Sequence, residues 1–367
     1  MINRKAVTLA LAVCMAAGAC GSPAHGTADK GRTGEAAPAF ERQITKEYSG
    51  NVRAEAEVIF PETAQNGTCL TAQLRKEGIF ERADELAGIA SAGREPDSVQ
   101  ETDRGEQLLR DYTYEDGEAA ASVSSNGIFR YVRMRGVAVR GLLVRDKIDP
   151  RYNAEAFVSD EALGGFSKEE AWQKVRDLLG DMGVSVPAES TECYRMEHEK
   201  MAEEEARMAD IDLGFGTPDA EPTEWTEADD CWYFITHGEW EGMRVLPELS
   251  GEGVDPENVE ILMSASGILY LNVFGYAVLE SSGETAIRAP GEAVKKLAGQ
   301  LKEIMTEEDY AITRVELCQL LLDIDARDGY DGAHVIPVWN CHVRIGGDSP
   351  YNYVREYRFD ARTMDIL

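Results

Sequence analysis

The sequence predicts an α+β fold of tandem modules, each a helix laid on an antiparallel sheet, with two such modules and a third ahead of them. Three observations predict it. A Gly-containing hairpin pattern occurs twice, at Ser124-Ser125-Asn126-Gly127-Ile128-Phe129 and at Ser264-Ala265-Ser266-Gly267-Ile268-Leu269. Two amphipathic helices carry clear start signals. Each helix is followed by one strand bearing a Cys and then another bearing a Trp. With 367 residues, 43% hydrophobic and 28% charged, the chain has globular composition.

The chain opens with Arg4 and Lys5 before a short apolar run that ends in small residues, the layout of a secretory signal peptide. The stretch Ala17-Gly18-Ala19-Cys20 resembles a bacterial lipobox, with Ala17 where Leu is usual. The resemblance implies residues 1–19 as lipoprotein signal peptide and Cys20 as the lipidated residue, through which the chain meets the bilayer. Residues 20–43 then read as lipidated Cys and flexible linker, poor in large apolar groups. Removal of Arg4 and Lys5 leaves 35 basic and 67 acidic residues. A nucleic-acid partner is excluded by that charge, and docking on anionic lipid is disfavoured.

An N-terminal α+β module is expected over 44–165, with its helix at Gly78–Ala87 and a hairpin at Ala119–Val132 followed by Gly136 and another apolar run. The central module spans 166–287. Ser167-Lys-Glu-Glu170 is a capping box that opens the stripe Ala171, Trp172, Val175, Leu178, Leu179, Met182. Strands at Thr191–Met196 and Cys231–Ile235 flank an acidic helical insertion at about 196–230, expected to be exposed. The C-terminal module spans 288–367. Pro290 stands at a first helical position and opens Ala293, Val294, Leu297, Ala298, Leu301. Strands follow at Ile312–Leu321 and Val335–Val343, with an alternating stretch from Tyr353 that turns near Asp360.

Seven cysteines are present; Cys14 leaves with the signal and Cys20 is lipidated. Five remain, so at least one thiol has no partner within the chain. Disulfides Cys193–Cys231 and Cys318–Cys341 are open to the chain if each pair lies on neighbouring strands, within roughly 4.4–6.8 Å between Cα atoms. The other reading makes all five small buried hydrophobes.

No motif selects a catalytic set, and no cofactor is expected. His198-Glu199 begins like a zinc-protease helix, but Ala202 stands where the second His is needed. His334 and His342 are a weak metal pair. Asp323, Asp325, Asp328 and Asp331 cluster as calcium candidates, yet the stretch fails the EF-hand pattern and also reads as a solvated hairpin loop. Trp172 and Trp339 read as core, whereas Trp225 and Trp240 border the insertion.

The helix with its Ser or Pro start, the Pro337-Val338-Trp339 strand and the closing Asp360-Ala361-Arg362-Thr363 together resemble extracytoplasmic PepSY and YycH/YycI-type modules, most clearly over 288–367. The overall look is of Gram-positive bacterial lipoproteins built from such modules. The resemblance implies a non-catalytic binding or regulatory role toward another cell-envelope protein, at the outer face of the cytoplasmic membrane. YycH/YycI proteins have a transmembrane helix instead of a lipobox, so their kinase partner does not carry over. The alternatives are an envelope hydrolase or carbohydrate-binding protein acting at the cell wall, and an inhibitor of a secreted protease.

Overall fold

Branched and aromatic residues at every second position, broken by Gly, Asn and Asp turns, make this chain chiefly strand. The computed structural model describes residues 40–75, 78–105, 107–147, 149–211, 222–247, 257–304, 308–322, 333–347 and 353–367. The chain starts with a hairpin, β1 (Gln43–Ser49) and β2 (Val52–Ile59), and a strand β3 (Thr68–Leu74). Helix α1 (Ala83–Ala90) leads into a meander of β4 (Ser98–Asp103), β5 (Leu108–Tyr114), β6 (Ala119–Ser124) and β7 (Ile128–Arg133). Helix α2 (Met134–Leu142) follows at once.

Helix α3 (Lys168–Asp181) precedes β8 (Glu192–Met196), α4 (His198–Ala209) and β9 (Cys231–Thr236). Two short strands come next, β10 (Gly238–Trp240) and β11 (Met243–Leu246), then the hairpin β12 (Val259–Ser264) and β13 (Gly267–Phe274). After β14 (Leu279–Ala286) and α5 (Pro290–Glu303), the chain ends in β15 (Tyr310–Leu322), β16 (His334–Ile345) and β17 (Tyr353–Asp360).

The fold is mixed α and β with several sheets. An eight-stranded sheet runs β4-β5-β6-β7-β13-β12-β9-β8, antiparallel throughout. The two hairpins recognised in the sequence are β6–β7 and β12–β13, and their second strands pair with each other, Val132 opposite Tyr270. Helices α1 and α3 cover one face, over Tyr112, Tyr131, Phe234 and Ile261. On the other face α2 and α4 pack over Tyr233, Ile235, Leu262 and Leu269. The capping box holds α3 as expected: the Ser167 hydroxyl accepts from Glu170 N, and the Glu170 carboxylate from Ser167 N.

Helix α2 crosses the sheet where a glycine lets it come close. A Cβ on Gly136 would stand 2.1 Å from the Leu269 carbonyl oxygen. The apolar run after Gly136 is therefore helical, with Val139 and Leu142 buried. Helix α4, expected to be exposed, buries Met201 and Glu204, because Met201 and Met208 pack on the β8–β9 surface. Helix α1 lies later than expected, starting at Ala83.

In the second large sheet, of seven strands, β15 takes β16 along one edge and β17 lies beyond β16. Along its other edge β15 takes β2 and then β11, both parallel. Helix α5 covers one face with Ala293, Val294, Leu297 and Leu301 against Ile312, Val315 and Trp339. A two-stranded ribbon pairs β3 with β14. The sheets thus cut across the expected boundaries: β1 and β2, placed at 44–165, and β10 and β11, placed at 166–287, pair into the sheet of the last module. Apolar alternation marks a strand but not its partner, which long-range packing selects. Residues 38–367 form one compact unit.

Candidate functional site

Strand alternation sends Ile312, Val315, Leu317, Trp339, Cys341 and Phe359 under α5. The intervening residues point to the opposite face, which is apolar at one end, with Leu246, Cys318, Leu320, Ile336 and Val338 clustered there, and polar at the other. Two rungs cross three strands. Arg314 (β15), His342 (β16) and Glu356 (β17) form one; Glu316, Asn340 and Arg358 form the next. Asn340 is fully buried and Glu316 is 6% exposed.

Two ion pairs tie the rungs, Arg314 Nη2 to Glu316 Oε1 at 3.2 Å and Arg358 Nη2 to Glu356 Oε2 at 3.5 Å, and within the first rung His342 Nε2 lies 3.6 Å from Glu356 Oε1. Asn340 Nδ2 lies 3.3 Å from His342 Nε2, and Arg358 Nη1 donates to the Pro247 carbonyl. Burial holds His342 below its usual pKa, against the raising effect of Glu356. The neutral imidazole can then accept from Asn340 Nδ2. That leaves Asn340 Oδ1 without a hydrogen bond among the described residues, and Glu316 Oε2 likewise. Buried acceptors left unmatched cost about 1–3 kcal/mol each, so such atoms mark a place where a partner group belongs.

Beside the rungs, β11 places Arg244 opposite Cys318. Its guanidinium reaches Glu257 Oε1 at 3.4 Å, and Glu257 Oε2 meets His237 Nδ1 at 3.0 Å and accepts from Thr191 Oγ1 at 3.2 Å. Burial raises the Glu257 pKa, but the His237 hydrogen bond and Arg244 outweigh it and hold the carboxyl below its usual value. This network joins the two large sheets, since His237 and Glu257 adjoin β9 and β12 while Arg244 lies in β11. Sequence reading missed both clusters. The signal of the rungs was present as polar residues at alternate positions, which reads as a solvated sheet face, whereas Thr191, His237, Arg244 and Glu257 are scattered along the chain and share no pattern.

The residues singled out from sequence fall elsewhere. Cys20 and the calcium candidates Asp323, Asp325, Asp328 and Asp331 lie outside the described residues. The disulfide expectation is corrected. Cys69, Cys193, Cys231, Cys318 and Cys341 are all free thiols. Cys193 faces the α3 side of the sheet and Cys231 the α2 side, while Cys341 lies under α5 and Cys318 points away. Burial pushes Cys193 and Cys341 up to about 12 and Cys318 well above its usual value.

His198 begins α4, and Asp230 Oδ1 accepts from both its backbone N and its Nδ1, a helix-starting role. His334 and His342 are eight residues apart on one strand, about 27 Å, too far to share a metal. Among the described residues no group of three or more His, Cys, Asp or Glu could hold a metal ion. Trp172 and Trp339 are buried; Trp225 is half-buried and donates to Glu205, and Trp240 packs against the α5 core.

No protein-family model and no curated protein matches the chain. Among solved structures it is similar to the crystal structure of an uncharacterized protein from Eubacterium rectale ATCC 33656, at 14% identity and a TM-score of 0.58, over 89% of this chain and 93% of that one. At that identity the likeness is one of fold.

Proposed function

We propose that the chain is a lipoprotein anchored through Cys20 to the outer face of a bacterial cytoplasmic membrane, with a non-catalytic binding or regulatory role toward another envelope protein. Its body is then a set of helix-on-sheet modules of PepSY and YycI type: α1 with β4–β7, α3 with β8, β9, β12 and β13, and α5 with β15–β17. The observation that carries the reading is the polar face of the last sheet. It sets Arg314, Glu316, Asn340, His342, Glu356 and Arg358 side by side, and among the described residues both acceptors (Glu316 Oε2, Asn340 Oδ1) and donors (Arg314 Nε, Arg358 Nη2) there lack hydrogen-bond partners. Such a face supports recognition of a polar partner that supplies both donors and acceptors.

The test is crosslinking of the lipidated protein in its own membranes, with Cys20→Ala and Asn340→Leu variants beside it. One envelope protein, recovered in stoichiometric amount and lost with Asn340→Leu, is the expected result. A Cys20→Ala protein that still partitions into detergent ends the anchor reading. Recovery with wall fragments alone transfers the assignment to the hydrolase or glycan-binding alternative.

A further inference from the structure

Sheet edges present unpaired N–H and C=O groups, and proteins block them with Lys or Pro, bulges, short strands or a covering segment. Edge by edge, this chain does so. Strand β1 carries Lys46 and a register shift between Glu47 and Ser49. Strand β17 carries Arg355, and residues 365–367 cover its end through Asp360 N to Asp365 O and Leu367 N to Arg358 O. Strand β8 has five residues with Arg195 among them, and β10 has three, with Glu239 N bonded to Ser185 O. In the ribbon, β14 bulges between Ser281 and Gly283, and the Gln319 side chain donates to Leu70 O of β3.

Strand β4 differs in the sign of its charge, carrying only the acidic Glu101 and Asp103. Its six residues, Ser-Val-Gln-Glu-Thr-Asp, pair with β5 in unbroken register from Ser98–Thr113 to Asp103–Leu108. It contains no Lys, Arg or Pro and no bulge, and nothing among the described residues pairs with its outer side. Five of its six residues are exposed, Val99 at 51%.

The side chains flanking that edge have a definite character. Val99, Glu101 and Asp103 lie on the α1 side, in register with Tyr112, Arg110 and Leu108. Asp84 of α1 stands there too, accepting from the Tyr112 hydroxyl at 2.6 Å and meeting Arg110 at 3.6 Å. Arg110, already shared between Glu101 and Asp84, is the cation that these contacts bring to this corner. Asp103 accepts from Gly105 N of its own turn and meets no cation among the described residues.

We infer that the outer edge of β4 is a docking site for an extended segment of a partner protein that adds to the eight-stranded sheet as a ninth strand, with an apolar side chain beside Val99 and basic side chains at the following alternate positions, beside Glu101 and Asp103. Main-chain hydrogen bonds supply the affinity and the alternate side chains the selectivity, as in other strand-addition complexes. The inference does not depend on the polar face or on the membrane anchor, and its failure leaves both untouched.

The test uses the whole protein and two peptides of identical composition. One alternates as Val-Thr-Lys-Thr-Lys-Thr within a capped decamer; the other gathers its lysines together. Hydrogen exchange at β4 and titration at 150 mM salt are the readouts. The alternating peptide is expected to protect β4 amides and to bind at least tenfold more tightly than the clustered one. A Val99→Lys/Asp103→Lys variant is expected to lose that preference while keeping its native melting temperature. Equal binding of the two peptides, no added protection at β4, or an undiminished preference in the double variant would each overturn the inference.

Discussion

Replacing Gly136 by Ala adds one methyl group, and the structure fixes where it goes. The new Cβ stands 2.1 Å from the Leu269 carbonyl oxygen, 2.6 Å from its carbon and 3.1 Å from the Leu269 Cβ. Two of these three atoms are backbone in β13, a strand paired on both sides, so they cannot swing away as a side chain would. Helix α2 must lift instead, and Val139 and Leu142 lose part of their burial against Leu262 and Leu269. Overpacking of this kind costs about 1–3 kcal/mol. Helix propensity alone acts the other way, favouring Ala over Gly by about 1 kcal/mol.

Gly141 supplies the control, since it lies in the same helix and a Cβ there meets nothing within 4 Å. The identical substitution should therefore change sign along one helix. With an unfolding entropy of ~2.1 cal/mol/K per residue, a chain of this size shifts its melting temperature by roughly 1.5 °C per kcal/mol. Net of the propensity gain the cost is up to about 2 kcal/mol, so thermal melts followed by circular dichroism should show Gly136→Ala lower by up to roughly 3 °C and Gly141→Ala unchanged or slightly higher. Equal effects at the two positions, or stabilisation by Gly136→Ala, would refute the close approach of α2 to β13.

Two further outcomes follow from the sheet interfaces and the buried thiols. The Glu257 carboxyl titrates below its unfolded value, so its contribution is complete above about pH 4.5 and is lost as pH falls through the lowered folded value. Glu257→Gln should thus flatten the acid limb of the stability profile below that pH, and an unchanged acid slope would count against the His237–Glu257–Arg244 link. Cys69, Cys231, Cys318 and Cys341 are buried, with pKa values raised by that burial. They should resist iodoacetamide at pH 8 in the native protein and react, together with Cys193, once urea unfolds it without reductant. Fewer than five labelled thiols after unfolding would mean that a disulfide forms.

Local signals were legible where a short segment carries its own reason. Ser167 and Glu170 need only each other to start α3, and Pro290 needs only its fixed φ to start α5. The hairpins β6–β7 and β12–β13 likewise announce themselves through Gly127 and Gly267, both at positive φ. Helix α2 did not, because Gly136 and Gly141 weaken helix propensity and Val137 with Val139 imitate a strand; contact with β13 overrides both. The polar rungs were hidden for another reason. Arg314-x-Glu316, Asn340-x-His342 and Glu356-x-Arg358 have the alternation of any solvated strand face, and only the depth of Asn340 and Glu316 distinguishes them.

Strand β15 gathers distant parts of the chain, with β2 and β11 end to end along one edge and β16 along the other. That geometry dictates an order of events during synthesis. Strand β2 ends at Ile59 and β15 begins at Tyr310, about 250 residues later. At ~5–20 residues per second the hairpin β1–β2 waits roughly 10–50 s for its neighbour. Until then the parallel edge of β2, with Val52, Ala54, Ala56 and Val58, has neither its strand partner nor the cover of α5. Local meanders such as β4–β7 can close as they emerge, but the second large sheet waits for a late strand, β15, to recruit the early strand β2. A chain cut before Tyr310 should accordingly leave its own N-terminal hairpin unfolded, and a holding factor that keeps the nascent chain from aggregating would act on that hairpin.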